Sequence, residues 1–150
     1  MANWLLKSEP DDYSIDDLAR DITTPWNGIR NFQARNFMRD QIQVGDKVFI
    51  YHSSCKKVGI AGTAKVSRAA YPDPDQFDPN NHYYDAKSLI DDPKWFVVDV
   101  SFVAKANTFL PLKAIKAAEA LKDLALLKQS RLSVVPVTQK QWDYILTQIT

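Results

Sequence analysis

Trp26 stands on a Pro25-Trp26-Asn27-Gly28 turn, at the head of a segment, residues 26–39, that holds Arg30, Arg35 and Arg39 and no acid. Interleaved with Phe32, Asn31, Gln33 and Asn36, these arginines put phosphate contacts, a stacking face and amide hydrogen-bonding groups into one stretch. A solvated helix face carries arginines too, so the stretch alone leaves both readings open. A tryptophan on a turn is costly to leave in water: it packs into the core or it walls a cavity. The second option joins Trp26 to Asn31 and Arg35 on the following helix and to Lys7 and Ser8 at the end of the first strand. Aromatic walls suit nucleobases, each stacked base contributing about 1–3 kcal/mol, while Asn, Ser and backbone groups read the base edge.

Catalytic signatures are weaker. Cys55 follows His52 by three residues, but a thiol nucleophile needs a base within hydrogen-bonding reach and a substrate pocket, and Cys55 falls in a turn beside Lys56 and Lys57. His52 and His82 are the only imidazoles, and with one cysteine they make no zinc set. Asp73-Pro74-Asp75-Gln76-Phe77-Asp78 lacks the central Gly and distal Glu of a calcium loop. No GxGxxG or GxxxxGK[ST] phosphate loop is present. Neither a metal nor a cofactor is expected. Two rival readings stand beside a nucleic-acid module: a small-ligand or nucleotide sensor using the same pocket, and a hydrolase or nuclease using His52 and Cys55.

The charge balance, 19 Lys and Arg against 18 Asp and Glu, hides a strong pattern. Residues 1–25 sum to −4, 26–39 to +3, 40–70 to +3, 71–99 to −5 and 100–150 to +4. A basic 26–70 stretch and a basic C-terminal part are offset by one acidic loop, so the net charge of +1 does not exclude a polyanionic partner. A chain of 150 residues buries roughly 68–70% of its unfolded surface, enough for one self-supporting domain over 1–150. Its apolar runs fall far short of the ~20 residues of a membrane helix. No secretory signal is read at the N-terminus, and the lone thiol suits a reducing compartment, so a cytoplasmic monomer is expected.

The elements that must hold these residues follow from pattern and punctuation. Residues 3–8 read as a buried strand stopped by Pro10. Ser14 caps a short helix to about Arg20, residues 23–28 are turn chemistry, and Asn31 caps a second helix to about Asp40. Strands at 47–53 and 58–66 form a hairpin, and Gly59 and Gly62 in the second mark a bulge, a bend or a close-lying ligand. Residues 71–93 form a long loop whose aromatics Tyr71, Phe77, Tyr83 and Tyr84 favour order. A strand at 95–104, helices at 112–116 and 119–127, a strand at 131–137 and a helix capped by Thr138 complete the chain. Five or six strands with short helices at their edges describe an α+β fold, a small mixed β-barrel.

Five ordered motifs carry a resemblance: Trp4-Leu5-Leu6-Lys7-Ser8-Glu9-Pro10, Trp26-Asn27-Gly28-Ile29-Arg30-Asn31-Phe32-Gln33-Ala34-Arg35-Asn36, Tyr51-His52-Ser53, Gly59-Ile60-Ala61-Gly62 and Arg131-Leu132-Ser133-Val134. Together they resemble the EVE domain family over nearly the whole chain. The resemblance implies a PUA-like barrel related to the YTH domains that read methylated adenine, a compact bacterial form, and a reader of a modified base in DNA or RNA. By position, Lys7 approaches phosphate and Ser8 the base, Trp26 is the first wall of an aromatic cage, and Arg131 holds phosphate. Glu9 and Tyr13 stand near where YTH domains place base-reading asparagines, which leaves a modified cytosine or another base open. Tyr84 is the candidate second wall, with Phe77 behind it. The site expected is therefore a base pocket of Ser8, Trp26, Asn31, His52, Ser53 and Tyr84, rimmed by Lys7, Arg30, Arg35 and Arg131 against phosphate. A buried cage cannot reach a base inside the stack, so base flipping is expected.

Overall fold

A computed structural model describes residues 1–150. Asn3–Ser8 forms β1, with its first four residues buried in succession. That continuous burial follows from its place inside the sheet, where it pairs in parallel with β3 (Lys47–His52) and antiparallel with β6 (Val134–Val137). The remaining strands are β2 (Thr23–Pro25), β4 (Gly59–Pro72) and β5 (Phe96–Pro111). They make one six-stranded mixed sheet in the order β2-β5-β4-β3-β1-β6. Five helices flank it: α1 (Ile15–Asp21), α2 (Phe32–Asp40), α3 (Leu112–Ala117), α4 (Ala125–Lys128) and α5 (Gln139–Ile149). This is the expected α+β class. No helix is long and apolar enough to cross a membrane.

The long hairpin of β4 and β5 bends the sheet. Its register shifts four times, between Ile60 and Gly62, Thr63 and Ala64, Val66 and Arg68, and Arg68 and Tyr71. Each shift adds unpaired residues and local twist. Gly59 and Gly62 serve this close approach: a Cβ at Gly62 would stand 2.6 Å from the Ala104 carbonyl oxygen, and one at Gly59 would collide with Leu110. The neighbours that exclude a side chain are β5 and, at Gly62, Ile15 of α1.

One cluster of 32 buried residues fills the fold, with Phe49 stacked on Trp142 at 3.8 Å. Asp46 is buried beneath β1, accepting from the Trp4 indole at 2.9 Å and from the Ala2 and Gln43 amides. Three donors offset the cost of burying that carboxylate.

Capping residues place three helices as the sequence predicts. Ser14 and Thr138 form capping boxes with Asp17 and Gln141, and the Asn31 side chain accepts from the Ala34 amide. Several boundaries differ. Thr23–Pro25, expected as turn, pairs with β5 as a three-residue edge strand. β4 reaches Pro72 and β5 reaches Pro111, well past the expected ends, because bulges carry the pairing through stretches without clean alternation. The helix expected at 119–127 divides into a 3-10 turn at Glu119–Leu121 and α4. The last strand starts at Val134, leaving 130–133 as a loop.

The loop between β4 and β5 is ordered by buried Gln76. Its amide nitrogen donates to the carbonyls of Asp73 at 2.7 Å and Trp95 at 2.8 Å, and its oxygen accepts from the Trp95 amide and the Ser88 hydroxyl. Trp95 donates its indole N–H to Asp85, whose pKa that bond lowers, and stacks on Phe32 at 4.9 Å. An acidic loop thereby becomes a fixed wall beside α2.

Candidate functional site

β1 and β3 end together. Pro10 cannot extend β1, and the Ser53 amide donates to the Ser8 carbonyl at 2.9 Å just beyond the parallel ladder. The loop ahead of β6 joins them, with the Lys7 amide donating to the Ser133 carbonyl. From the opposite side comes the turn after β2, held where the Trp26 amide donates to the Val98 carbonyl at 2.8 Å. These four segments and the tip of the 73–95 loop enclose a cavity of about 970 Å³. That lies near the upper end of the range for ligand cavities.

Its aromatic walls come from three places. Trp26, only 6% exposed, meets Tyr13 edge-on with ring centroids 6.2 Å apart. Tyr13 donates its hydroxyl to Asp21 at 2.9 Å, and burial raises its pKa. Tyr83 and His82 approach from the loop, their rings 5.1 Å apart. Tyr83 lies over Gly28, whose φ of +80° belongs to the left-handed region open to glycine.

The polar groups divide into engaged and unengaged. Lys7 is engaged: its ammonium donates to the Ser130 carbonyl at 2.7 Å and lies 5.8 Å from the Tyr51 ring centre, and burial lowers its pKa. Arg131, on the cavity wall, makes no ion pair or side-chain hydrogen bond within the chain. Glu9 and Asp12 bring two exposed carboxylates to the same cavity. Ser8 differs from all of these. Its Oγ is buried and has no hydrogen-bond partner, the only buried side-chain polar atom of the protein in that state. Leaving a buried hydroxyl unsatisfied costs about 1–3 kcal/mol.

Of the residues expected from sequence, the cavity brings together Ser8, Trp26, Ser53, Lys7 and Arg131. The other five lie outside its lining, and four of them have an internal task. Asn31 caps α2, 3.0 Å from the Ala34 amide. His52 Nε2 accepts from the Ile15 amide at 3.1 Å, and burial lowers its pKa. Tyr84 is 43% exposed and lies outside the lining, which its neighbour Tyr83 joins. Arg30 pairs with fully buried Asp73 at 3.1 Å, donates twice to the Tyr83 carbonyl, and covers the Tyr83 and Trp95 rings. Arg35 donates to the Lys94 carbonyl at 3.1 Å and lies over Phe32. Arg30 and Arg35 thus bind the protein's own loop and hold the wall that bears Tyr83.

Sequence reasoning missed Tyr83, Asn27 and Ser130 as cavity residues. Ser130 and Asn27 had a signal, their positions beside Arg131 and Trp26. As for catalysis, the His52 acceptor nitrogen that a thiol would need is occupied by the Ile15 amide, and Cys55 Sγ donates to the Lys57 carbonyl at 3.4 Å. No group of three His, Cys, Asp or Glu side chains is placed to hold a metal ion.

Known proteins share this fold. Human thymocyte nuclear protein 1 is 42% identical over 165 residues, covering 97% of this chain and 73% of its own length. A protein from Pseudomonas putida, solved by crystallography, is 50% identical with a TM-score of 0.95, covering 99% of this chain and 100% of that one. Human THYN1, crystallised in complex with DNA containing 5-methylcytosine, is 41% identical with a TM-score of 0.95, covering 99% of this chain and 97% of that one. The family model for the EVE domain matches residues 2–148, and with that extent of agreement the chain belongs to the EVE domain family.

Proposed function

We propose that this chain reads a modified base in DNA, 5-methylcytosine foremost, by taking the base out of the strand into the cavity between Trp26, Tyr83 and the end of β1. The observation that carries the reading is a cavity large enough for a nucleobase, lined by Ser8, whose buried Oγ has no partner. A base edge supplies the missing partner, and Trp26, Tyr13 and Tyr83 supply π faces. Glu9 and Asp12 bring acceptors, which suit the exocyclic amine of cytosine and oppose the O4 carbonyl of thymine. The bound DNA of human THYN1 favours the same class of partner. Arg131 contacts phosphate beside the cavity, and Lys7 fixes the loop that carries Arg131.

Fluorescence anisotropy on 12-mers carrying one cytosine or one 5-methylcytosine, as single strands and duplexes, in DNA and RNA, tests this. Burying one extra methyl group contributes about 0.8 kcal/mol, so the methylated DNA should bind about fourfold more tightly. Equal affinity for methylated and unmethylated strands overturns the reading. Salt-independent binding of the free nucleoside, with no gain from the oligonucleotide, would instead identify a small-ligand sensor.

A further inference from the structure

A second depression, of about 530 Å³, opens beside the turn between β3 and β4. Lys56, Lys57 and Lys113 line it together with Val58, Phe109 and Leu112, and no acid does. None of the three lysines has an ion pair. The patch is also held in shape. Lys57 places its ammonium 5.3 Å from the Phe109 ring centre, Cys55 ties the turn to the Lys57 carbonyl, and the Leu112 amide donates to the Val58 carbonyl at 2.9 Å. Three unpaired cations over a partly apolar floor fit a run of phosphates. Position decides whose phosphates they are. Ser53 and Ser54 of the same turn line the main cavity, and the Cα atoms of Ser54 and Lys56 are at most about 7 Å apart. A DNA strand advances about 3.4 Å per phosphate, so Lys56 and Lys57 stand within a few nucleotide steps of the cavity, and Lys113 lines the same depression.

We propose that the Lys56, Lys57 and Lys113 depression is a second phosphate-binding site, holding the backbone of the strand that flanks the base in the main cavity. It rests on the reading of that cavity as a base pocket. The site adds affinity without sequence or modification preference, because phosphates carry none.

The test compares the wild type with a triple variant, Lys56→Gln, Lys57→Gln and Lys113→Gln. The probes are a DNA duplex of 12 base pairs with one 5-methylcytosine, its unmethylated twin, and a trinucleotide centred on 5-methylcytosine. Each lost phosphate contact lowers the slope of log affinity against log salt by about 0.9, so the variant should lose about 2–3 from the slope on both duplexes. The ratio between methylated and unmethylated duplex should stay as in the wild type, and trinucleotide affinity should not change. An unchanged slope overturns the proposal, as does loss of trinucleotide binding, which would trace the effect to the main cavity. Lysine-dependent binding to phosphatidylserine vesicles with an unchanged duplex slope would assign the patch to a membrane surface and also overturn it. A wild type without preference for the methylated duplex sinks the base-reading function alone, since the slope difference is measured on both duplexes.

Discussion

The Tyr83 ring lies so close over Gly28 that a Cβ at residue 28 would stand 2.8 Å from the ring's Cζ. Gly28→Ala therefore meets two obstacles, a φ of +80° and an aromatic ring that must move. The left-handed backbone alone costs an L-residue about 1–2 kcal/mol. Urea unfolding should show a loss of at least that size, and the preference for methylated over unmethylated DNA should narrow because Tyr83 no longer stands at the wall. A variant with full stability and full preference would show that Tyr83 is not held by Gly28.

Two arginines should separate folding from binding. Arg30 is 21% exposed at its side chain and pairs with an Asp73 that is wholly buried. Arg30→Ala leaves that carboxylate without its cation and should cost on the order of 3 kcal/mol, measured by chemical denaturation, with the salt slope for DNA unchanged. Arg131→Ala removes a solvated side chain, so stability should stay within about 0.5 kcal/mol. Its salt slope should fall by about 0.9. The reverse pattern would move the phosphate contact from Arg131 to Arg30.

Ser8→Ala is a change whose effects on folding and binding should have opposite signs. Removing a buried hydroxyl that has no partner should leave stability equal or raised by up to about 1 kcal/mol. Affinity for the methylated strand should fall by about fivefold, the equivalent of one neutral hydrogen bond. Unchanged affinity in a stable Ser8→Ala protein would remove Ser8 from the recognition surface.

His52 predicts an acid-sensitive link between β3 and α1. Burial lowers its pKa, and its Nε2 accepts the Ile15 amide, a bond that only the neutral ring can make. The unfolded chain takes up this proton near pH 6.5 while the folded chain resists it until lower pH. The stabilisation is therefore complete above about pH 6.5 and declines as pH falls through that value toward the folded pKa. Urea midpoints between about pH 7.5 and pH 5.5 should fall for the wild type and stay flatter for His52→Gln, whose amide oxygen can accept without titrating. Parallel profiles would assign the acid sensitivity elsewhere.

What the sequence made legible was whatever local chemistry decides. Ser14, Asn31 and Thr138 announce their helices because a capping side chain acts within three residues. Trp26, Ser8 and Arg131 could be placed at one site because their motifs resemble those of the EVE domain family. Tyr83 could not be told from Tyr84: in a loop without periodicity, nothing local says which of two neighbours faces inward. Arg30 and Arg35 read as phosphate ligands because a guanidinium looks the same whether its partner is a phosphate or a carbonyl elsewhere in its own chain. The buried Asp73 and the Lys94 carbonyl that claim them are 43 and 59 residues away. The reach of β4 and β5 was hidden for a similar reason, since bulges interrupt the alternation by which a strand is recognised.

β1 lies between two strands that come from very different parts of the chain, its Leu6 opposite Ile50 on one side and Val134 on the other. The cavity at its end needs Lys7-Ser8 from the start of the chain and Ser130-Arg131 from near its close. During synthesis, then, the first cavity residues to be made wait for the last. A ribosome must deliver more than 130 residues before the cavity exists at all. Such long-range closure is slow compared with local helix formation. A nascent chain arrested before β6 is left with β1 as an apolar edge, open to pairing with other chains.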